Sequence, residues 1–439
     1  MTTFDQIVPA ASEVLEAHRA QVEQLPWLVI NRDLNGRVRF IVPERIEADD
    51  DARRQVEMLY QTLATRISPH AHPAESGILY EASRDEVCLG AASYPLEGFD
   101  NVWVVDRLAT EGNWANIAPE TEGAPRIVFF SIKGGVGRST ALAACAWKLA
   151  QLGKRLLVLD LDLESPGLSS SLLPQERQPM HGITDWLVED LVDNADGVLD
   201  GMVATSGLSH DGEIHVVPAH GKNAGEYIAK LGRVWMPKVR SDGSRESWSA
   251  RLQRLLQALE ARIQPDIVLI DSRAGIDEVA SSCVTDLGAN MVLLFALDGS
   301  QTWSGYRILF DHWQRARVAE CIRERLQIVA ALVPELDPSA YLTDLRERAY
   351  DLFLETLYDE IPPADAEGWS FDLANELAPH MPWGVRWHRG FAALRTLHGR
   401  LAQIDDDEVR HVFGDLIGRI VRSLGWGDGY PKVIDGGVF

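Results

Sequence analysis

Apolar and polar positions along the chain alternate between two periods. Unbroken apolar runs at 127–130, 156–159, 267–270, 291–296 and 328–333 have the character of strands buried on both faces. Segments of helical period lie among them, at 141–153, 184–191, 248–263 and 301–325. Further strands are expected at 213–219, ending in Pro218 and Ala219, and at 381–387. Strand followed by helix, repeated, predicts an α/β fold: a doubly wound parallel sheet with helices on both faces. Helices at 391–403 and 407–424 follow. In the second, Val409, Phe413, Leu416, Ile420 and Leu424 form one apolar stripe suited to packing on the sheet.

The first 122 residues follow another pattern. A helix at 12–24 leads into a β-rich run at 27–32, then Asn35-Gly36, then a second run at 37–42, which is a hairpin signal. A helix at 52–67 and strands at 77–81, 87–91 and 101–106 complete a separate small α/β domain of unassigned role. Gly112, Pro119, Gly123 and Pro125 mark residues 111–125 as a linker. The chain is thus expected to divide into an N-terminal domain (1–122), the first part of the sheet domain (123–335), an acidic helical insertion (336–378) and a final strand with C-terminal helices (379–439). The helix of the insertion is placed at 341–358, ahead of a break at Pro362-Pro363. His70 and His72 have no third candidate ligand nearby and read as loop residues rather than a metal site.

Candidate chemistry sits at the strand ends. The run 127–130 is followed by Lys133, Gly134, Gly135, Val136, Gly137, Arg138, Ser139 and Thr140, and then by an alanine-rich helix. Glycines let backbone N–H groups crowd around an anion, and a helix N-terminus adds partial positive charge, so the order strand, glycine loop, helix forms a phosphate cradle. Ser139 would offer its hydroxyl to the metal that accompanies phosphates. The run 156–159 delivers Asp160 and Asp162 at its C-terminal end, and the run 267–270 delivers Asp271, with Gly275 four residues on. Ligands of open α/β sheets lie beyond strand C-termini, so all three carboxylates should face the loop. Carboxylates there can hold a metal's waters and orient an attacking water.

These stretches resemble the MinD/ParA-type ATPases, whose deviant Walker A loop reads K-G-G-x-G-K-[ST]. Residues 126–335 and 380–425 carry the likeness, through the loop, the Asp160-x-Asp162 pair and the Asp271-x-x-x-Gly275 turn. The resemblance implies a P-loop fold of the SIMIBI class that binds ATP with Mg²⁺. It also implies a face-to-face, ATP-dependent homodimer in which Lys133 reaches the partner's nucleotide. By the same resemblance Asp162 positions the nucleophilic water, Asp160 supports the metal shell, Asp271 coordinates magnesium through water, and the Gly275 backbone senses the γ-phosphate. Three departures stand out. Arg138 replaces the second lysine, a planar fork in place of a point charge, which leaves phosphate binding intact and puts hydrolysis in question. Arg273 lies where relatives often have proline, either as an extra cation for the γ-phosphate or as part of a structural ion pair. Val333-Pro334 stands where many relatives have an asparagine for adenine.

Composition narrows the partners. A formal net charge of −23 argues against broad adhesion to nucleic acid or anionic lipid. The one basic stretch, 220–246, holds Lys222, Lys230, Arg233, Lys238, Arg240 and Arg245; it reads as a solvated loop, with contact to an acidic partner or nucleic acid left open. The four cysteines are scattered without metal-ligand spacing and are expected to be reduced. No apolar run is long enough to span a membrane and no signal-peptide pattern opens the chain, so a cytoplasmic protein is expected. The chain is expected to act on protein partners as a nucleotide switch with slow hydrolysis, or as a nucleotide sensor or scaffold that barely hydrolyses.

Overall fold

The structure, a computed structural model of the 439-residue chain, describes residues 2–108, 112–360, 368–391 and 397–426. It contains two compact units: residues up to Asn116 together with His312–Ala319, and Ile117–Asp311 with the rest of the chain from Glu320.

The first unit is built on a five-stranded sheet of β1 (Leu28–Arg32), β2 (Val38–Pro43), β3 (Ile78–Glu81), β4 (Ala92–Pro95) and β5 (Val102–Asp106), in the order β3-β2-β1-β5-β4. Helices Ile7–Ala17 and Asp50–Ile67 bury Val14, Leu15, Leu59 and Leu63 against one face, over Leu28, Ile30, Phe40 and Val104. The β1–β2 connection is antiparallel, as the hairpin signal predicts, but the turn is wider than two residues. The Asp33 carboxylate accepts the N–H groups of Asn35 and Arg37, and only Gly36 takes a positive φ, of 73°. The strand expected at 87–91 is absent. A short helix, Arg84–Cys88, stands there with Asp85 and Glu86 in its first turn, and β4 begins only at Ala92.

The second unit carries β6 (Arg126–Ser131), β7 (Arg155–Asp160), β8 (Ala204–Thr205), β9 (Glu213–Val217), the small ribbon of β10 (Lys238–Val239) and β11 (Arg245–Glu246), β12 (Ile267–Ala274), β13 (Met291–Ala296), β14 (Leu326–Val333) and β15 (Trp383–Arg386). Eight of them form one sheet in the order β15-β14-β13-β6-β12-β7-β9-β8, parallel throughout except for β8. The apolar runs are its central strands: β6 is buried along its whole length, as is all of β7 after Arg155. From β6 the chain runs to β7 and β9 on one side, returns through β12 between β6 and β7, and then runs to β13, β14 and β15 on the other, so the crevice beyond the C-terminal end of β6 is a topological switch point.

Helix Arg138–Gln151 fills one face so closely that every residue from Ala141 to Ala150 is buried; its alanines allow that approach. Helix Asp406–Ser423 packs beside it through Val409, Phe413, Leu416 and Ile420, the stripe predicted to lie on the sheet. The long helix expected at 301–325 is shorter, Ser300–Arg315. Arg317 breaks it with a φ of 58°, and short turns at Ala319–Ile322 and Arg323–Arg325 lead into β14. Helix Pro338–Thr356 opens on Asp337, whose carboxylate accepts the Ala340 N–H. The break expected at Pro362-Pro363 lies outside the described residues, as does part of the helix expected at 391–403, of which Leu397–Leu401 is described. No described helix is long and apolar enough to cross a membrane. All four cysteines are free thiols.

Candidate functional site

The sheet register sets the geometry. Asp271 of β12 pairs with Asp160 of β7 on one side and Phe129 of β6 on the other, so both strand-end carboxylates sit at one level beside the loop that leaves β6. That loop turns through Gly135 and Gly137, at φ of 76° and 78°, and runs directly into helix Arg138–Gln151 with Gly137 at its N-cap. A side chain at Gly134 or Gly135 would meet nothing within 4 Å, since both face an open cleft of about 560 Å³. At Gly137 it would meet Leu332 of β14 at 3.2 Å. Ser131, the loop from Gly134 to Thr140, Asp162 and Arg273 line the cleft, while Val136 is buried beneath it.

Arg138 is the hub. Its Nε donates to Asp271 Oδ1 at 2.7 Å, one terminal nitrogen to Ser131 Oγ at 3.2 Å, and the other to Asp162 Oδ2 at 3.3 Å. Ser139 Oγ donates to the second oxygen of Asp271 at 2.5 Å. Arg138 is only 7% exposed. Burial works against its charge, but Asp271 and then Asp162 outweigh that and hold its pKa above the ordinary value. Asp160 is fully buried. Its Oδ2 accepts the Ser169 N–H at 3.2 Å, at the start of helix Leu168–Leu172, and its Oδ1 has no hydrogen-bond partner among the described residues. Burial, with the charge of Asp271 next, pushes its pKa up to about 7. Burial also raises Asp162, against the pull of Arg138.

The remaining predicted residues are placed less centrally. Lys133 is exposed on the loop and has no ion-pair partner among the described residues. Gly275, at φ 102°, donates its N–H to the Ser131 carbonyl at 2.9 Å, so that N–H reaches a phosphate only if this bond opens. Arg273 is held in ion pairs with Glu164 at 2.5 Å and Asp277 at 3.2 Å, the second of the two readings left open for it.

Sequence reasoning missed Ser131, which reads as an ordinary strand residue although it ends β6 at the loop. It also missed Tyr227, whose hydroxyl donates to the Leu163 carbonyl at 2.6 Å and ties a distant helix to the loop carrying Asp162. Nothing in the local sequence marks that pairing. Half of the basic stretch is engaged in ion pairs: Lys230 pairs with Asp185, Lys238 with Asp190 and Asp193, and Arg240 with Glu246.

Two left-handed glycines, an open face at Gly134 and a helix N-terminus lie together, a geometry that fits a phosphate group. Among the described residues no group of three His, Cys, Asp or Glu side chains is arranged to hold a metal ion. Magnesium requires none, since it keeps several waters and takes one or two protein oxygens along with phosphate. The Ser139 hydroxyl and Asp271 carboxylate supply hard oxygens of that kind, 2.5 Å apart.

Parallel sheet, glycine loop and carboxylates from neighbouring strand ends define a P-loop nucleotide-binding fold. The model of the CobQ/CobB/MinD/ParA nucleotide binding domain matches residues 127–362, more than half of the chain, and the chain belongs to that family. A protein of Aquifex aeolicus (strain VF5) named as an arsenical pump-driving ATPase is 45% identical over 67 residues, 15% of this chain and 17% of that protein. An iron-sulfur cluster carrier protein of Methanocaldococcus jannaschii is 42% identical over 57 residues, 13% of this chain and 20% of that protein. The chain therefore spans only about a fifth or less of those relatives' length. Among solved structures, a plasmid partition protein from Borrelia burgdorferi is similar at 14% identity and a TM-score of 0.40, over 69% of this chain and 100% of that one. The septum site-determining protein MinD of Pyrococcus horikoshii, complexed with Mg-ADP, is similar at 17% identity and a TM-score of 0.41, over 69% of this chain and 98% of that one.

Proposed function

We propose that the chain binds Mg²⁺-ATP in the cleft over the 133–140 loop and works as an ATP-dependent dimerisation switch with slow hydrolysis, acting on protein partners. The observation that carries this reading is the convergence of Ser139, Arg138, Asp162 and Asp271 on one glycine loop at the switch point of a parallel sheet. In it the backbone N–H groups from Gly134 to Thr140 cradle phosphate oxygens, and Arg138 turns its fork to the β- and γ-phosphates. Ser139 and Asp271, with Asp160 in support, would hold a magnesium ion, which would supply positive charge to the phosphates. Asp162 orients the attacking water, and the Gly275 turn flanks the γ-phosphate. Lys133, exposed on the loop, is free to reach a second copy, as an arginine finger does.

Titration calorimetry with a non-hydrolysable ATP analogue tests the site; no heat of binding at millimolar analogue rejects it. Light scattering tests the switch. Lys133→Ala is expected to keep nucleotide binding and lose the analogue-driven dimer, and a variant that dimerises like the parent reduces Lys133 to a loop residue.

One observation favours a second reading, a nucleotide sensor or scaffold with little hydrolysis: Arg138 bonds to Asp162, the carboxylate needed for the water. An arginine that grips ground state and transition state alike does not accelerate chemistry. Turnover is expected well below about 10 s⁻¹, faster in Arg138→Lys and abolished in Asp162→Ala with binding kept. A parent faster than Arg138→Lys shows a site built around arginine.

A further inference from the structure

The sheet of the first unit has two edges, and they differ. β4 ends on Pro95, which offers no N–H to a further strand. β3 carries no proline. The Phe40 N–H donates to the Gly77 carbonyl at 2.8 Å and the Glu44 N–H to the Glu81 carbonyl at 3.0 Å, with Phe40 beside Ile78 and Val42 beside Tyr80. Backbone groups alternate sides along a strand, so Leu79 also turns toward β2, while Ile78 and Tyr80 turn their N–H and C=O groups outward. Those outward groups have no hydrogen-bond partner among the described residues.

Beside this edge, between β3 and helix Asp50–Ile67, lies a groove of about 650 Å³. Ile78 and Tyr80 line it from the strand, and Met58, 53% exposed, lines it from the helix. Its rim is acidic: Glu47 and Glu75 are exposed and have no ion-pair partner among the described residues. The arginines of the same groove are already committed, Arg53 to Asp50 and Glu57, and Arg54 to Asp51. Burial raises the pKa of Tyr80, and the charges of Glu57 and Glu47 raise it further against the pull of Arg53. On the opposite face of the strand, Leu79 packs with the apolar cluster of Val29, Ile41 and Val87.

We infer that β3 takes up an extended, basic segment of a partner protein as an added strand of this sheet. This concerns the first unit and is independent of the nucleotide site. The outward N–H and C=O groups of Ile78 and Tyr80 call for an extended chain, since a strand matches their spacing. The acidic rim selects lysine or arginine at the positions whose side chains turn toward the helix. Leu79 selects apolar residues at the positions between, because alternate side chains of an added strand lie on opposite faces. A second copy of β3 is a poorer occupant. It would bring Glu47, Glu57 and Glu75 up to their own equivalents, and the net charge of −23 adds repulsion at longer range.

The test is fluorescence anisotropy of the full chain with a labelled, end-blocked hexapeptide of alternating lysine and valine. Saturable binding below about 1 mM is expected, with a loss of about tenfold or more when glutamate replaces lysine. The same loss is expected when the peptide's amides are N-methylated, which keeps its charge and removes its donors. An N-methylated peptide that binds equally well overturns the inference, because the acidic chain then merely attracts cations. A glutamate peptide that binds equally well overturns it too, as does no binding of the lysine peptide at about 1 mM. Glu47→Lys with Glu75→Lys should weaken the lysine peptide about tenfold, whereas the same charge change at Glu176 and Glu347 in the second unit should leave it within about twofold. Equal effects of the two pairs place the peptide elsewhere and overturn the inference. Tyr80→Pro removes one outward N–H and spares the bonds to β2, so it too should weaken binding about tenfold; if it does not fold, the N-methylated peptide on the parent decides. A nucleotide-free chain that is dimeric in light scattering and ignores the peptide assigns the edge to a second copy. Each of these results leaves the nucleotide site standing.

Discussion

Two buried arginines in the second unit, Arg138 and Arg251, differ in the partners that surround them. Arg251, on helix Trp248–Ile263, is 0% exposed and shares the Asp190 carboxylate with Arg254 and Lys238. Its other donors go to the backbone carbonyls of Leu187, Val234 and Met236. Burial pushes Asp190 up, but bonds from the three cations outweigh it and hold the carboxyl below its ordinary range. Three cations share that carboxylate, Lys238 and Arg254 have second acids in Asp193 and Glu246, and backbone carbonyls take the remaining donors of Arg251. Around Arg138 the arrangement differs: one guanidinium bonds to two aspartates and a serine hydroxyl, every acceptor is a side chain, and an oxygen of the neighbouring buried Asp160 has no hydrogen-bond partner among the described residues. A closed set of bonds of the first kind holds a fold together. A set short of positive charge beside an open cleft has room for a cationic or donor-rich visitor.

The comparison can be broken at its strongest point first. Arg251→Met should cost about 3–5 kcal/mol, because it takes the only fully buried of three cations from Asp190 and leaves the carbonyls of Leu187, Val234 and Met236 without their donor. Urea unfolding monitors this, and a cost below about 1 kcal/mol would remove the distinction between the two arginines.

Asp160 sharpens it next. Its folded pKa, near 7, lies above the ordinary value of 3.8, so between about pH 4 and pH 7 the folded chain binds a proton that the unfolded chain has released. Stability from this group therefore falls as pH rises through that window and stays low above it. Asp160→Asn should stabilise the protein at pH 8 by up to about 4 kcal/mol and leave it unchanged at pH 4; thermal melting at both values checks the sign. The smallest effect is expected of Arg254→Ala. Arg254 is 39% exposed and Asp190 keeps two other cations, so the loss should stay under about 1 kcal/mol.

How much of this the sequence discloses depends on how local each signal is. The buried strands and the glycine loop are legible because each is a contiguous run whose residue types have one physical reading: apolar on both faces, or free of a Cβ where φ is positive. The short helix at Arg84–Cys88 is not, since Val87 fits either period over so few residues. The bonds of Arg138 are illegible for another reason. Asp271 lies 133 positions away, and only the register of β12 against β6 and β7 brings it within 2.7 Å. Likewise Lys230 and Lys238 read as part of a charged patch because their acids, Asp185 and Asp190, precede them by 45 and 48 residues.

The contact between Gly137 and Leu332 has a genetic consequence. Alanine at 137 is opposed twice, by torsion at φ 78°, which costs about 1–2 kcal/mol, and by the leucine methyl 3.2 Å away. Shortening Leu332 relieves the crowding and leaves the torsion untouched. No substitution on the facing strand can therefore act as a full suppressor of Gly137→Ala, and a selection for revertants should return glycine itself at that codon. Arg138, one codon on, has no such lock: its backbone is ordinary helix, so exchange to lysine meets no torsional barrier and is judged by its side-chain bonds alone.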